Sequence, residues 1–437
     1  MSGPPPPRPE PTPQPDHPPD RRPGAPPLGA PPGPTWVEAS GHHAWLEAEL
    51  RRLVAFPHAD HHPAGGFAWL DDRGRGDGSA PVRTWITARM THVAALAHLW
   101  GLPGHSGRID RGLAALSGPL HDAVHGGWHS GLGADGTPLP DPKGAYDHAF
   151  VVLAAASATA AGRPGATALL ADALATLDQG FWDADAERCV EAWDAAWTTC
   201  EAYRGANSNM HVVEALLAAG DVTGERGWHE RALAIASRLI DGVAREQGWR
   251  VVEHFAADWT PLPEHHAEQP DHPFRPYGTT VGHWLEWARL LVHLEASLPD
   301  PPAWLAEAAR ELFGAAVAVG WAADGHPGFV YTLDWHDRPV VTGRLHWVAA
   351  EAIGAAAVLG RRFDDPAYEA WYRAFWDHAA AAFRDTERGS WHHELTAAGE
   401  PAGGVWSGKP DLYHAVQATL LPRTASAPAL APQLAAR

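Results

Sequence analysis

The sequence predicts an all-α protein, an (α/α)6 barrel of twelve helices with short β-hairpins at one end, on three observations. Helical hydrophobic periods recur along the chain, the segments between them repeat an aromatic–turn–proline signature, and alternate helices begin with polar residues sharing one face.

The helical periods fall at roughly 36–55, 83–101, 106–124, 145–161, 165–181, 205–219, 226–245, 279–297, 302–319, 343–360, 366–384 and 410–421. The connecting segments resemble one another. Gly127-Trp128 leads to Asp135-Gly136-Thr137-Pro138, and Gly248-Trp249 leads to Asp258-Trp259-Thr260-Pro261. Gly328-Phe329 leads to Asp337-Arg338-Pro339, and Ser390-Trp391 leads to Gly399-Glu400-Pro401. Each reads as an aromatic strand, a polar turn and a return. Repeated antiparallel helix pairs with hairpins at one end suggest a toroid whose even-numbered helices line a central cavity.

The starts of those inner helices carry the polar sets. They are Arg89 with His92, Tyr146 with His148 nearby, Asn207 with His211, His283 with Glu286, Trp347 with Glu351, and His414 with Gln417. Residues three or four apart share a helix face. His283 and Glu286 open a strongly apolar helix, with Arg275 close by in sequence, and such a set suits proton transfer on a polar, uncharged substrate. Any one pair alone is equally explained by a helix cap or a satisfied core histidine. Six sets on alternate helices converging on one end form the pattern of a pocket.

Composition narrows the partners. The 33 basic against 52 acidic residues give a formal charge of −19, which argues against a nucleic-acid or anionic-membrane surface. No apolar run approaches a membrane span. Cys189 and Cys200 alone cannot staple a chain of 437 residues, so free thiols and a reducing, cytoplasmic setting are expected. Residues 1–34 are dominated by proline and lack an apolar signal core, and are expected to form a disordered arm. The catalytic domain is expected over 35–424 and a frayed tail over 425–437. The oligomeric state stays open between monomer and homo-oligomer.

The 22 tryptophans exceed what a core of this size needs, and many sit in the hairpins or at helix starts. Indole faces stack on pyranose rings, so Trp347 and Trp391 are expected to touch ligand, whereas Trp128 and Trp249 are expected to pack under hairpins. His58, His61 and His62 lie in a Pro/Gly loop without a metal-binding motif, and no phosphate-loop or dinucleotide motif occurs. No cofactor and no metal are expected. A hard cation would need several converging oxygen ligands, and the sequence offers no such cage, Glu286 being the one strongly placed acid.

Five segments, Arg83 to His92, Tyr146 to Phe150, Tyr203 to His211, Phe274 to Glu286 and Trp406 to His414, resemble the N-acylglucosamine 2-epimerase superfamily. Within it they look most like the branch of mannose and sulfoquinovose isomerases. The resemblance runs from about Phe56 to Arg423, with its motifs in the family's order. It implies an (α/α)6 barrel and metal-free chemistry at C2 of a sugar. Carried over by motif, it implies that His283 and His414 are the acid/base pair, His211 a third pocket histidine, and Glu286 the carboxylate partnering His283. It further implies that Arg89 binds substrate oxygen near the reacting carbons and that Trp85, Tyr146, Asn207 and Trp347 line the ligand. The expected activity is interconversion of D-mannose and D-fructose through a cis-enediol. A sulfoquinovose isomerase or a sugar 2-epimerase of N-acylglucosamine or cellobiose type stands as the alternative. Outside that class stand a non-catalytic sugar-binding protein and a glycoside hydrolase.

Overall fold

A computed structural model describes residues 35–437, and thirteen α-helices run through them. They are α1 (Ser40–Val54), α2 (Thr84–Leu99), α3 (Ser106–Leu116), α4 (Ala145–Ala160), α5 (Ala166–Thr176), α6 (Ala206–Thr223) and α7 (Arg226–Ala236). The rest are α8 (Val281–Ser297), α9 (Trp304–Gly320), α10 (His346–Phe363), α11 (Pro366–His378), α12 (Tyr413–Leu420) and α13 (Leu430–Ala435). All twelve expected helices are present. The expected proline-rich arm over 1–34 lies outside the described residues.

The even-numbered helices form the inner ring. Each touches the next, α2 to α4 to α6 to α8 to α10 to α12, and α12 returns to α2. Their sequences explain this placement. Along α4 and α10 nearly every residue is buried, and runs of Ala let neighbouring helices approach closely, whereas α3 and α7 carry one apolar stripe and cover the ring from outside. The outer helices α3, α5, α7, α9 and α11 each pack on the inner helix before them, and α1 packs on α12 to close the ring.

The expected hairpin turns are present as Leu132 facing Pro138, Phe255 facing Pro261, Leu333 facing Pro339 and Leu395 facing Pro401. A second pairing was not visible in sequence. The two residues that lead into an inner helix bond to the strand that follows its outer partner, as Val82–Arg83 does with Gly131–Leu132 and Thr279–Thr280 with Thr332–Leu333. The same clasp recurs at Lys143–Gly144 with Ala192–Trp193, at Tyr203–Gly205 with His254–Ala256, and at Arg344–Leu345 with Glu394–Leu395. These five helix pairs are thereby clamped at the end where the inner helix begins. Gly278 makes one clasp possible: its φ is +86°, and a Cβ there would stand 2.1 Å from the Leu333 carbonyl oxygen.

Helix ends depart from regular α geometry or from expectation for local reasons. The third helix stops at Leu116, where Ser117-Gly118-Pro119 breaks it, and α5, α7 and α11 each pass into a π-helical turn before ending. The tail expected to fray over 425–437 instead carries α13, which buries Ala431 and Leu434 against α2, α4 and α6. Cys189 and Cys200 are free thiols. No helix among the described residues is long and apolar enough to cross a membrane.

Candidate active site

The first turns of the inner helices open into one cavity with about 650 Å³ of empty space including its mouth, within the range of small-molecule sites. Trp85 and Arg89 come from α2, Tyr146 from α4, Asn207 and His211 from α6, His283 and Glu286 from α8, His346 and Trp347 from α10, and His414 from α12. Nine of the expected site residues are therefore brought together. Two are not. Arg275 turns away to clamp Glu201 through both guanidinium nitrogens, at 2.7 and 2.9 Å, and lies over the Tyr203 ring. Trp391 is buried beneath its hairpin, where its indole N–H donates to Glu49 at 2.8 Å and its ring meets Trp376 edge-on. It is core, as Trp128 is.

The two histidines of the proposed acid/base pair are held alike. His283 Nδ1–H donates to the Glu253 carboxylate, whose oxygens lie at 2.9 and 3.0 Å, and His414 Nδ1–H donates to Glu351 Oε1 at 2.9 Å. A carboxylate can only accept, so each ring must carry its proton on Nδ1 when neutral and present a bare Nε2. Burial lowers the His414 pKa, and Glu351 partly restores it. The indole of Trp347 lies between the pair, 5.2 Å from the His283 ring and 5.7 Å from that of His414. Gly282 permits this, since a Cβ there would stand 2.4 Å from the Trp347 ring.

Glu253, not Glu286, is thus the partner of His283. The i,i+3 spacing puts Glu286 on the correct face of α8 but one turn deeper, where its Oε1 lies 3.8 Å from His211 Nδ1 and 3.5 Å from Arg289. Its Oε2 has no hydrogen-bond partner among the described residues. Burial first, and then the nearby Glu351 charge, raise its pKa well above the ordinary value, which favours its protonated form. His211, packed on Phe150 and Tyr146, is lowered to about 4 by burial and is neutral.

Arg89 is the cation of the cavity wall. It donates to Asp411 at 3.1 Å and to the Tyr146 hydroxyl at 2.8 Å, with its guanidinium 4.3 Å from the Phe150 ring centre. Burial works against its charge, but Tyr146, Asp411 and Tyr413 more than offset it and raise its pKa. Asn207 Oδ1, Glu286 Oε2 and His346 Nε2 are buried without partners among the described residues, and all three residues line the cavity. Such atoms suit a ligand rich in hydroxyl groups. Trp85, Phe274 and Trp406 meet edge-on, with centroids 5.2 to 6.0 Å apart, and form an aromatic rim.

The expectation that acids would not converge is corrected. Glu214, Glu286 and Glu351 gather beneath the cavity, and their oxygens form two groups, with His211 and with His414, of a size that could hold a metal ion. They surround a guanidinium: Arg289 Nε lies 2.8 Å from Glu351, and its Nη2 lies 3.5 Å from Glu286 and 3.6 Å from Glu214. A metal ion would have to displace that cation. Arg289 was legible in principle, because it continues the His283, Glu286 stripe by one more i+3 step. Glu253 and Asp411 were not, since both lie in irregular segments without a period to mark them.

The chain matches the family model described as N-acylglucosamine 2-epimerase (GlcNAc 2-epimerase) over residues 65–418. It is 59% identical over 401 residues to a D-mannose isomerase of Thermobifida fusca, an alignment covering 92% of this chain and 98% of that one. It is 49% identical over 405 residues to a D-mannose isomerase of Pseudomonas cannabina pv. alisalensis, covering 92% and 97%. Among solved structures, a D-mannose isomerase superposes with a TM-score of 0.80 at 26% identity, covering 87% of this chain and 97% of that one. The cellobiose 2-epimerase from Spirochaeta thermophila superposes with a TM-score of 0.74 at 25% identity, covering 87% and 95%.

Proposed function

The chain belongs to the N-acylglucosamine 2-epimerase family, and we propose that it is an aldose–ketose isomerase interconverting D-mannose and D-fructose by metal-free proton transfer. The observation that carries the proposal is the matched pair of histidines on α8 and α12. Each is tied through Nδ1 to its own carboxylate and lines the same cavity as Arg89.

The reaction begins with ring opening of the bound aldohexose: as the C1–O5 bond breaks, O5 gains a proton and the anomeric hydroxyl loses one to become the C1 carbonyl, Glu286 serving as the acid and neutral His211 as the base on the cavity wall. One imidazole Nε2 then takes the C2 proton, the C1 carbonyl becomes the enediol C=C, and negative charge develops on the substrate oxygens. Arg89 faces that charge in a buried setting, an effect commonly worth about 3 kcal/mol of barrier. Proton return from the imidazolium to C1, with the O2 hydroxyl proton passing to O1 and O2 becoming the carbonyl, gives the ketose. Imidazole suits both halves because it is a usable base when neutral and a usable acid once protonated.

Mannose is favoured over a sulfonated hexose because Arg89 is the one cationic side chain lining the cavity among the described residues, and Arg275 is committed to Glu201. The two close relatives named D-mannose isomerases support the same choice over a 2-epimerase. A glycosidase would need two available carboxylic groups flanking a bond. Of the two acids on the wall, Asp411 is bound to Arg89 and held below the usual carboxylate range against the effect of burial.

The test is incubation with D-mannose in deuterated water containing EDTA. Fructose bearing deuterium at C1 is the expected product. Glucose as the main product would make the site an epimerase, and activity lost to chelator and restored by Mg²⁺ or Mn²⁺ would replace the proton shuttle with a metal-assisted shift.

A further inference from the structure

Behind the Arg289 layer, on the barrel axis and away from the mouth, lies a second chamber that the reaction does not use. Five inner helices line it, and the segment after α12 closes it through Ser426, Ala429 and Leu430. Arg289 and Glu214 form its wall toward the active site. Three buried side chains of this chamber end in polar atoms with no partner among the described residues: His92 Nε2, His293 Nε2 and Gln417 Oε1. Their other ends are fixed. His92 Nδ1 bonds the Ser157 hydroxyl at 2.7 Å, His293 Nδ1–H donates to the Ser426 carbonyl at 2.6 Å, and the Gln417 amide donates to Glu214 at 3.2 Å.

Unpartnered polar atoms of this kind are costly in a dry interior, and a chamber bounded by imidazole, amide and carboxylate is not one that stays dry. The chamber is large enough to admit water. We propose that the chamber is a structural water site: a small cluster of waters bonds His92, His293 and Gln417, is bordered by Ser426, Ala429, Leu430 and Ala431, and holds the Gln417–Glu214–Arg289 layer in register beneath the reacting groups.

The bordering segment is itself well anchored. Ser426 accepts from His293, the Ala429 amide donates to Asp221 at 2.6 Å, and α13 buries Ala431 and Leu434 across three inner helices. Burial lowers both His92 and His293 to about 4, so each is neutral and offers water an ordinary imidazole nitrogen. The layer it supports touches His414 through Glu351, and His211 directly. Arg289 binds the Glu351 that holds His414, and Glu214 Oε2 lies 3.9 Å from His211. Gln417, Glu214 and Arg289 are positioning residues, and the segment after α12 acts on the site through them.

The positioning role rests on the histidine assignments above; the water site does not. A high-resolution crystal structure of the full chain should show ordered water within hydrogen-bonding distance of at least two of the three atoms, and a dry chamber, or one filled by side chains, overturns the site. Ala218→Leu fills the chamber from α6, and Ala429→Leu fills it from the closing segment should the first variant not fold. In whichever variant keeps wild-type helicity, kcat on mannose should fall about tenfold with KM within about twofold, the pattern of a displaced supporting layer rather than a lost ligand contact. Unchanged kcat with the chamber shown to be filled overturns the positioning role. A wild-type protein inactive on mannose would sink the isomerase proposal while the crystallographic result stood on its own.

Discussion

His283 shares its carboxylate with a backbone amide, whereas His414 shares its own with a buried guanidinium. Glu253 also accepts the Thr280 N–H at 3.2 Å, at the clasp that starts α8, so this half of the site is anchored in the hairpin layer. Glu351 lies deeper on α10 and divides its charge between His414 and Arg289, the hub that also faces Glu214 and Glu286. The same imidazole–carboxylate unit is therefore local and independent on one side, and part of a buried charge network on the other. Perturbing the second should spread.

The largest expected effect is that of His414→Ala. It should abolish isomerisation, a loss of at least about a thousandfold in kcat, with helicity intact, because a pocket-facing imidazole contributes proton transfer more than packing. Near-wild-type turnover would end the two-histidine reading.

Next come the carboxylates. Glu351→Gln should cost about a hundredfold in kcat and Glu253→Gln about tenfold, since the first breaks bonds to both His414 and Arg289 and the second leaves that network untouched. The sign of the pH effect follows from His414. Glu351 favours its charged form, so without that carboxylate the already lowered pKa falls further, and the acid limb of kcat/KM moves to lower pH. Equal losses in the two variants, or a limb that moves to higher pH, would erase the proposed asymmetry.

Glu286→Gln sharpens the same comparison. A neutral acid is close in shape and charge to an amide, so kcat should fall about tenfold through lost proton transfer while the acid limb stays in place. A shifted acid limb would return Glu286 to the role of histidine partner. The smallest effects belong to the two residues that left the site. Trp391→Phe should cost about 1 kcal/mol of stability through its lost bond to Glu49, and Arg275→Ala less because its ion pair with Glu201 is partly exposed. Neither should change KM for mannose by more than about twofold, measured beside thermal unfolding. A large rise in KM for either would bring that residue back to the ligand.

What could be read from the sequence follows from periodicity. Inner helices announce themselves by being apolar all round with a polar first turn, so His211, His283, His414, Arg89, Tyr146 and Asn207 could be placed in one cavity from spacing and motif alone. Spacing says which residues share a face and not how deep each lies, and for that reason it pairs Glu286 with His283, although Glu253 holds that ring and Glu286 lies one turn deeper. Partners separated by long stretches of chain, such as Glu351 with His414 at 63 residues and Arg89 with Asp411 at 322, carry no local signal. Indole side chains defeat the sequence differently, because a tryptophan in a hairpin suits either a ligand or a core. Trp347 faces the cavity and Trp391 faces Glu49, and only the fold distinguishes them.

The contact of α1 with α12 has a consequence for how the barrel comes apart. Every clasped helix pair is stitched within its own stretch of chain, but the ring is joined by groups from opposite ends of it. Glu49 takes bonds from Arg52, from Arg384 and from Trp391, the last across 342 residues. Arg423 reaches Glu47 across 376 residues in the same seam, and joining groups this far apart carries a large loop-closure entropy, so this seam should form last and open first. Hydrogen exchange should therefore be fastest along α1 and α12, at a free energy below that of global unfolding. Because α12 carries His414, an enzyme whose seam has parted would keep most of its helix and have lost half of the proposed acid–base pair.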